Sequence, residues 1–187
     1  MASRTLAVTQ NITLDGVIDM AEGWDNISAT VAAGAEEQVA ALQRQAAASD
    51  ALLVGRKTFT DMRGYWPNAE EDETGNTAHL NGVAKYVLTS TLTDPEWANS
   101  TIIRDLDDVR ALKEQPGRDI VVTGSIQLTH ALINAGLVDE YRLFVFPAIV
   151  GHGARLFEGS TSIPTLQLLE SKAFANGVVL SIYTTQR

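Results

Sequence analysis

The segment Gly55-Arg56-Lys57-Thr58 lies where an apolar run, residues 51–54, changes into a polar, helix-forming sequence. The first turn of a helix leaves backbone N–H groups without partners, and the helix dipole makes that end attractive to anions. In this segment cationic side chains and a hydroxyl group stand beside those N–H groups, where they could add charge-assisted hydrogen bonds. The pattern therefore predicts a phosphate-binding turn. The alternative is an exposed basic pair that merely follows a strand.

A second turn of the same design contains Gly124 and Ser125. It follows the short buried strand 120–122 and begins a helix whose first residues include Ile126 and Leu128. We expect Ser125 to cap this helix while it faces a phosphate. One such turn is usually only the exit from a sheet, but two of them at the ends of parallel strands suit the pyrophosphate of a dinucleotide. Neither turn fits the G-x-G-x-x-G or Walker spacing, so no standard Rossmann fingerprint or P-loop is predicted.

Weaker signals come from other polar side chains near the ends of predicted strands. Thr89, Ser90 and Thr91 follow one strand, and their hydroxyl groups could hold a phosphate or a ribose, with an ordinary polar turn as the alternative. Asp15 and Asp61 are the carboxylates nearest to strand ends, and either could act as a general acid or anchor a substrate. A structural carboxylate that caps a turn is the alternative for both.

The composition argues against several classes of partner and site. A formal net charge of −9, with no stretch rich in Lys and Arg, predicts neither nucleic acid nor a membrane as a partner. The chain has no cysteine, and His79, His130 and His152 are far apart, so no metal site is predicted. Ser125 lacks the G-x-S-x-G elbow of a serine hydrolase. The N-terminal residues lack the apolar core of a signal peptide, which predicts a cytoplasmic protein.

Predicted strands and helices alternate along the chain, which indicates an α/β fold with parallel strands joined by right-handed crossovers. In the C-terminal third, strands follow one another without a helix, which predicts antiparallel pairing at one side of a mixed sheet. A length of 187 residues suits a single domain over residues 1–187. The predicted strands cover residues 6–12, 51–54, 86–88, 101–103, 120–122, 141–145 and 178–184, and the predicted helices begin at Glu36, Arg56, Val109 and Ile126.

Taken in order, these segments resemble the dihydrofolate reductase-like superfamily. They more closely resemble the reductase domain of the riboflavin-biosynthesis deaminase-reductase and its stand-alone bacterial relatives. The resemblance covers nearly the whole chain and is carried by residues 13–19 (TLDGVID), 50–59 (DALLVGRKTF) and 136–157 (GLVDEYRLFVFPAIVGHGARLF). It implies a three-layer fold in which helices flank a mixed, mainly parallel sheet that ends in a C-terminal antiparallel hairpin.

The resemblance also implies NADPH as the cofactor and a small pyrimidine- or pterin-like substrate that receives a hydride. It assigns to the cofactor the residues Asn11, Ile18, Gly55, Arg56, Lys57, Thr58, Thr89, Ser90, Thr91, Gly124, Ser125, Ile126 and Leu128. Among these, Asn11 and Ile18 would hold the nicotinamide carboxamide through backbone groups, and Ser90 and Thr91 would approach the adenosine 2′-phosphate. Substrate contacts would come from Asp15 and from Trp24, which with Glu22 and Gly23 falls at the end of a substrate loop.

The chain departs from its relatives at two places, one of which is Gly124-Ser125, where dihydrofolate reductases commonly have a Gly-Gly pair. Many relatives carry an arginine where this chain has Thr89, so Arg56 and Lys57 are the remaining cations for the 2′-phosphate, and the choice between NADPH and NADH stays open. No carboxylate matches the one that holds the pteridine in true dihydrofolate reductases, although Glu36 and Glu37 lie nearby in sequence.

The leading hypothesis is an NADPH-dependent reductase that resembles the phosphoribosylamino-uracil reductase of riboflavin biosynthesis. Its rivals are a dihydrofolate reductase and a non-catalytic nucleotide-binding protein of the same fold. Relatives commonly pair as homodimers, and the same is expected here.

Overall fold

The computed structural model describes residues 3–19, 24–70, 76–159 and 165–186. The strands of this part of the chain are β1 (Leu6–Thr13), β2 (Ser49–Gly55), β3 (Ala84–Leu88), β4 (Ser100–Ile103), β5 (Asp119–Val122), β6 (Glu140–Phe146), β7 (Leu166–Ala173) and β8 (Val179–Thr185). The α-helices are α1 (Trp24–Thr30), α2 (Glu36–Ala48), α3 (Arg56–Tyr65), α4 (Asn76–Gly82), α5 (Leu106–Glu114) and α6 (Ile126–Asn134). A 3-10 turn, Trp66–Asn68, follows α3 directly.

The described strands form one sheet in the order β4-β3-β2-β5-β1-β6-β8-β7. Strands β1 to β6 run parallel to one another, whereas β8 is antiparallel to both β6 and β7. This topology confirms the predicted α/β class and the antiparallel hairpin at the C-terminal side. Because parallel strands end at the same edge of a sheet, the residues that follow β1 to β6 lie along one edge, where α/β proteins bind ligands.

Helices cover both faces of the sheet. Leu53 of β2 packs with α5 and α6 in one core cluster, whereas Leu52 packs with α3 and α4 in another. Neighbouring residues of a strand point to opposite faces, so these helix pairs lie on opposite sides. On β6, Leu143 belongs to the first cluster, and Phe144 packs with α1 and α2 on the other face. The molecule therefore has the three layers that the resemblance implied.

The sequence patterns did not predict α1, α4 or β7. The first two helices are only seven residues long each, too short for a clear helical period. Strand β7 has a β-bulge between Leu168 and Glu170, which interrupts the alternation by which a strand is recognised. It forms because β8 pairs with it, a tertiary effect that no local pattern contains.

Candidate cofactor and active site

The two glycine-containing turns lie side by side at the edge of the sheet. They follow β2 and β5, which are neighbours in the sheet. The backbone N–H of Gly55 donates a hydrogen bond of 2.9 Å to Oγ of Ser125, and the N–H of Ser125 donates one of 3.0 Å to Oγ1 of Thr58. The turns are thus joined to each other by a reciprocal pair of bonds.

Ser125 does not cap its own helix, and the prediction that it would is wrong. Its backbone is left-handed, with φ 48° and ψ 50°, and its side chain makes no capping bond to α6. The hydroxyl group instead turns toward β2 and accepts the N–H of Gly55. A serine in this conformation is strained, and residues of this kind persist where surrounding contacts hold them.

Gly124 is held from two directions. Its φ of +57° belongs to the left-handed region, and an added Cβ would lie 3.3 Å from Cγ2 of Thr58. Gln10, a buried residue of β1, donates from Nε2 to the carbonyl oxygen of Gly124 at 2.8 Å and accepts the Gly124 N–H at 3.3 Å. Gln10 was missed by the sequence reasoning, although a polar residue on the apolar face of β1 was a usable signal.

Strand β1 runs past the end of β5. Residues 6–8 of β1 pair with β5, whereas the pairing of β1 with β6 continues as far as Thr13. Asn11, which is paired with Phe144, therefore lies in the part of β1 that pairs with β6 beyond the end of the β5 ladder. Ile18, the other residue assigned to the carboxamide, is buried, and its N–H donates to the carbonyl oxygen of Ala154 at 2.9 Å.

The first turns of α3 and α6 offer backbone donors to an anion. The N–H groups of residues 56–58 and 126–128 belong to these turns and have no partner within their helices. Both helices start at the carboxyl ends of adjacent parallel strands, so their positive ends point to the same place. A pyrophosphate fits this arrangement, because the two bonds that join the turns consume only the N–H groups of Gly55 and Ser125.

The turn after β3 is built on Thr89. This residue is buried, and its Oγ1 accepts the N–H groups of Thr91 and Leu92, each at 3.2 Å. Ser90 and Thr91 themselves are exposed. The turn thus presents two hydroxyl groups to solvent and uses the third for its own structure.

The structure places a further cation near this turn, beside the predicted pair Arg56 and Lys57. Lys57 forms an exposed ion pair of 2.9 Å with Asp61 on α3, and Arg56 is exposed. Arg104, which follows β4, donates from Nη1 to the carbonyl oxygens of Thr89 at 2.8 Å and Leu92 at 3.1 Å. The sequence reasoning did not include Arg104, whose only signal was its place directly after a strand.

Asp15 holds the turn after β1 against the segment that follows β6. Hydrogen bonds lower the pKa of Asp15 from 3.8 to about 2. The largest effect comes from Oγ1 of Thr13, which donates at 2.6 Å, and the next from the Gly151 N–H, which donates at 2.8 Å. The Val150 N–H, which donates to the same carboxylate at 3.3 Å, lowers the pKa further, and the Arg155 guanidinium lies 3.8 Å from it. These contacts favour the structural role that the sequence left open, because a carboxylate with this pKa is ionised at neutral pH and holds no proton to donate.

The other two weak candidates lie apart from the turns. Asp61 is an exposed residue of α3 that forms an ion pair with Lys57. Trp24 is 4% exposed, packs edge-to-face on Phe146, and donates from Nε1 to the carbonyl oxygen of Asp19. Its ring serves the core beneath α1. Glu22 and Gly23, which precede it, lie outside the described residues.

The start of α2 bears on folate chemistry. Glu36 and Glu37 are both exposed, and Glu37 pairs with Lys172 at 3.5 Å. The buried residue of this turn is Gln38, whose Oε1 accepts a bond of 2.8 Å from Nδ2 of Asn176. The first turn of α2 therefore directs an amide, rather than a carboxylate, into the protein.

Metal-binding clusters and membrane-spanning helices are both absent from the described residues. They contain no cluster of three or more histidine, aspartate or glutamate side chains that could hold a metal ion. Within the same residues, no helix is long and apolar enough to cross a membrane.

Curated proteins with similar sequences come from Bacillus subtilis (strain 168). The uncharacterised protein YyaP is 33% identical over 138 residues, which is 72% of this chain and 73% of that protein. The uncharacterised protein YwjB is 30% identical over 136 residues, or 70% of this chain and 71% of its own length.

Solved structures share the fold at low sequence identity. A pyrimidine reductase-like protein from Corynebacterium diphtheriae is 14% identical, with a TM-score of 0.69 over 98% of this chain and 92% of the other. The RibD protein of Acinetobacter baumannii is 16% identical, with a TM-score of 0.63 over all of this chain and 59% of that one. At these identities the likeness concerns the fold alone.

The family model for the RibD C-terminal domain matches residues 4–180. The match covers the two joined turns, the strand edge that carries them and the segment bound by Asp15. It agrees with the resemblance inferred from the sequence, and this chain belongs to the RibD C-terminal domain family.

Proposed function

We propose that this protein is an NADPH-dependent reductase that transfers a hydride to a small pyrimidine- or pterin-like heterocycle. The observation that carries the proposal is the joining of the Gly55 and Gly124 turns through Ser125, with two helix N-termini at one place. Family membership supports a reductase of the riboflavin-pathway type. The cytoplasm, where reduced nicotinamide cofactors are kept, is the compartment that this function implies.

In this proposal the chain binds and orients, while the nicotinamide supplies the hydride when it is bound. The N–H groups of residues 56–58 and 126–128 hold the pyrophosphate. Gln10 fixes the backbone of Gly124, so that the turn approaches the cofactor in one conformation. The polar residues of β1 beyond Val8, including Asn11, form the floor at the nicotinamide end.

Titration with NADPH and with NADH, followed by nicotinamide fluorescence, tests the cofactor part of the proposal. We expect saturable binding of at least one of them, and absence of binding by either would refute the cofactor assignment. Turnover with the ribosylamino-pyrimidine intermediate and with dihydrofolate then tests the substrate class. We expect oxidation of the cofactor with the pyrimidine and little with dihydrofolate, because the sequence offers no match for the carboxylate that holds the pteridine, and Glu36 and Glu37 are both exposed.

A non-catalytic nucleotide-binding protein is the second candidate, and one observation favours it. Asp15, the carboxylate closest to the end of β1, is ionised at neutral pH and tied to backbone groups, so it does not serve as a proton donor. Saturable NADPH binding without turnover of any pyrimidine or pterin substrate would support this candidate over the reductase.

We also propose that the protein forms a homodimer through β7, the edge strand at the C-terminal side of the sheet. Leu168 and Leu169 of this strand are 51% and 54% exposed. A second copy of β7 would pair with the free edge and cover both leucines. Light scattering on the purified chain tests this: a dimeric mass that becomes monomeric in Leu168→Lys supports it, and a monomeric wild type contradicts it.

A further inference from the structure

A cavity of about 180 Å³ lies between the C-terminal half of α2 and the sheet. Its apolar walls are Ala41 and Ala48 of α2 and Leu180 and Ile182 of β8. Helix α2 leads directly into the first residue of β2, and the cavity adjoins the first residues of β6, so it lies toward the amino ends of the parallel strands. The joined turns follow the carboxyl ends of the same strands. The cavity is therefore separate from the candidate cofactor site.

Two polar side chains meet in this cavity, one from the sheet and one from the helix. Arg142 of β6 is paired with Thr9 of β1, and paired residues face the same side of a sheet. Oγ1 of Thr9 donates to Oε1 of Gln45 on α2 at 3.5 Å. Neighbouring strands are about 4.8 Å apart, so the amide of Gln45 lies over the strand next to Arg142. Both side chains line the cavity.

These two side chains carry hydrogen-bond donors that the protein leaves unmatched. Arg142 is 6% exposed, and its Nη1 has no hydrogen-bond partner in the described part of the chain, nor has Nε2 of Gln45. Only three buried side-chain nitrogen or oxygen atoms of the described residues lack a partner, and two of them belong to this cavity. Each nitrogen carries two N–H groups. Buried donors are nearly always paired in folded proteins, so the cavity calls for an external acceptor.

The surrounding charges favour an acceptor that is neutral. Arg142 already donates from Nη2 to Asp119 at 2.5 Å and from Nε to Glu140 at 2.6 Å. Arg44 and Glu170 also line the cavity, are exposed and carry opposite charges. The two carboxylates on a single guanidinium would repel a third negative charge placed beside it.

A carbonyl group with a neighbouring N–H matches the polar side chains. A carbonyl oxygen has two lone pairs, so it can accept one N–H from Arg142 and one from Gln45. An adjacent N–H of the ligand can donate to the carboxylate of Glu140, which also lines the cavity. The volume is below the ~300–1,000 Å³ of pockets that hold drug-sized ligands, so the ligand is limited to about one ring.

We propose that this cavity binds a small neutral cyclic amide or cyclic urea. Its carbonyl oxygen accepts hydrogen bonds from Nη1 of Arg142 and Nε2 of Gln45, and its N–H donates to Glu140. The ring packs between the apolar walls contributed by α2 and β8. The site is additional to the proposed cofactor site, and the inference does not depend on the reductase activity.

Titration of the ¹⁵N-labelled protein with 2-imidazolidinone, a cyclic urea with one ring, tests the proposal by amide NMR shifts. We expect saturable binding with a dissociation constant of about 1 mM, a value within reach of so small a ligand. The shifts should fall on α2, β6 and β8 and spare residues 55–58 and 124–128. The analogue 1,3-dimethyl-2-imidazolidinone keeps the carbonyl but has no N–H, and it should bind about tenfold more weakly or not at all.

The matched variants are Gln45→Leu and Gln115→Leu. Gln45→Leu removes the amide donor from the cavity at similar side-chain size and should weaken binding of 2-imidazolidinone about tenfold, whereas Gln115 is exposed and outside the cavity, so its replacement should change nothing. Equal binding by Gln45→Leu and the wild type, shifts confined to the joined turns, or no saturable shift would overturn the proposal. Tighter binding of acetate than of 2-imidazolidinone would overturn the choice of a neutral ligand.

Discussion

Replacement of Ser125 separates two effects that meet at this residue. Its hydroxyl accepts the N–H of Gly55 at 2.9 Å, and its backbone is in the left-handed conformation at φ 48°. Ser125→Ala removes the acceptor but keeps the strain. Ser125→Gly removes the acceptor and relieves the strain, because glycine has no Cβ to oppose this conformation.

The magnitudes follow from the two contacts. Leaving the half-buried Gly55 N–H without its acceptor should cost Ser125→Ala about 1 to 1.5 kcal/mol of unfolding free energy. Left-handed backbone costs about 1 to 2 kcal/mol in a residue with a Cβ, and the freer unfolded chain of glycine offsets about 0.4 to 1 of that. Ser125→Gly should therefore be more stable than Ser125→Ala by about 0.5 to 1 kcal/mol.

Urea denaturation followed by tryptophan fluorescence measures both variants. A difference of 1 kcal/mol corresponds to roughly 2 to 4 °C in melting temperature for a chain of this length. Ser90→Ala is the stability control, since this side chain is exposed on the turn after β3, and it should change stability by less than about 0.5 kcal/mol. Equal stability of Ser125→Ala and the wild type would refute the contribution of the Gly55 bond. Equal stability of the Ser125→Ala and Ser125→Gly variants would refute the claim that the left-handed backbone at residue 125 is strained.

Two further predictions concern neighbouring features. Gly124→Ala should destabilise the protein by about 1 to 2 kcal/mol in the same urea assay, because φ is +57° and the new Cβ would meet Thr58 at 3.3 Å. An unchanged midpoint of unfolding would contradict this. The pKa of Asp15 is about 2 in the folded protein, against an ordinary 3.8. The ionised carboxylate therefore stabilises the fold at pH values above 3.8, and this contribution is lost as the pH falls through about 2. The stability gap between the wild type and Asp15→Asn should therefore narrow on acidification, and a gap that is constant with pH would exclude this contribution.

The elements that position the site were predictable because their signals are local. An apolar run before Gly55 or Gly124 and a helix-forming sequence after it suffice to indicate strand, turn and helix. The order of the strands in the sheet was predicted neither by a local signal nor by the resemblance, and only the structure gives it. It is this order that makes the two turns neighbours.

The contacts that complete the site were not predictable from local patterns. Gln10 meets Gly124 across 114 residues of sequence, and Arg104 reaches Thr89 only because β3 and β4 are adjacent. Ser125 has the residue type of a helix cap, but the N–H of Gly55 is a partner that the helix cannot provide. Each of these contacts depends on the tertiary arrangement of the strands, which local spacing alone cannot predict.

The placement of β1 has a consequence for biosynthesis. This strand lies inside the sheet between β5 and β6, whose residues begin at Asp119 and Glu140. At about 5 to 20 residues per second, the ribosome needs on the order of ten seconds after β1 emerges before either partner is available. During that time Leu6, Ala7 and Val8, which the finished sheet buries completely, have no sheet to join. We expect nascent chains that end before β6 to engage chaperones, and release to follow once both neighbours of β1 have been made.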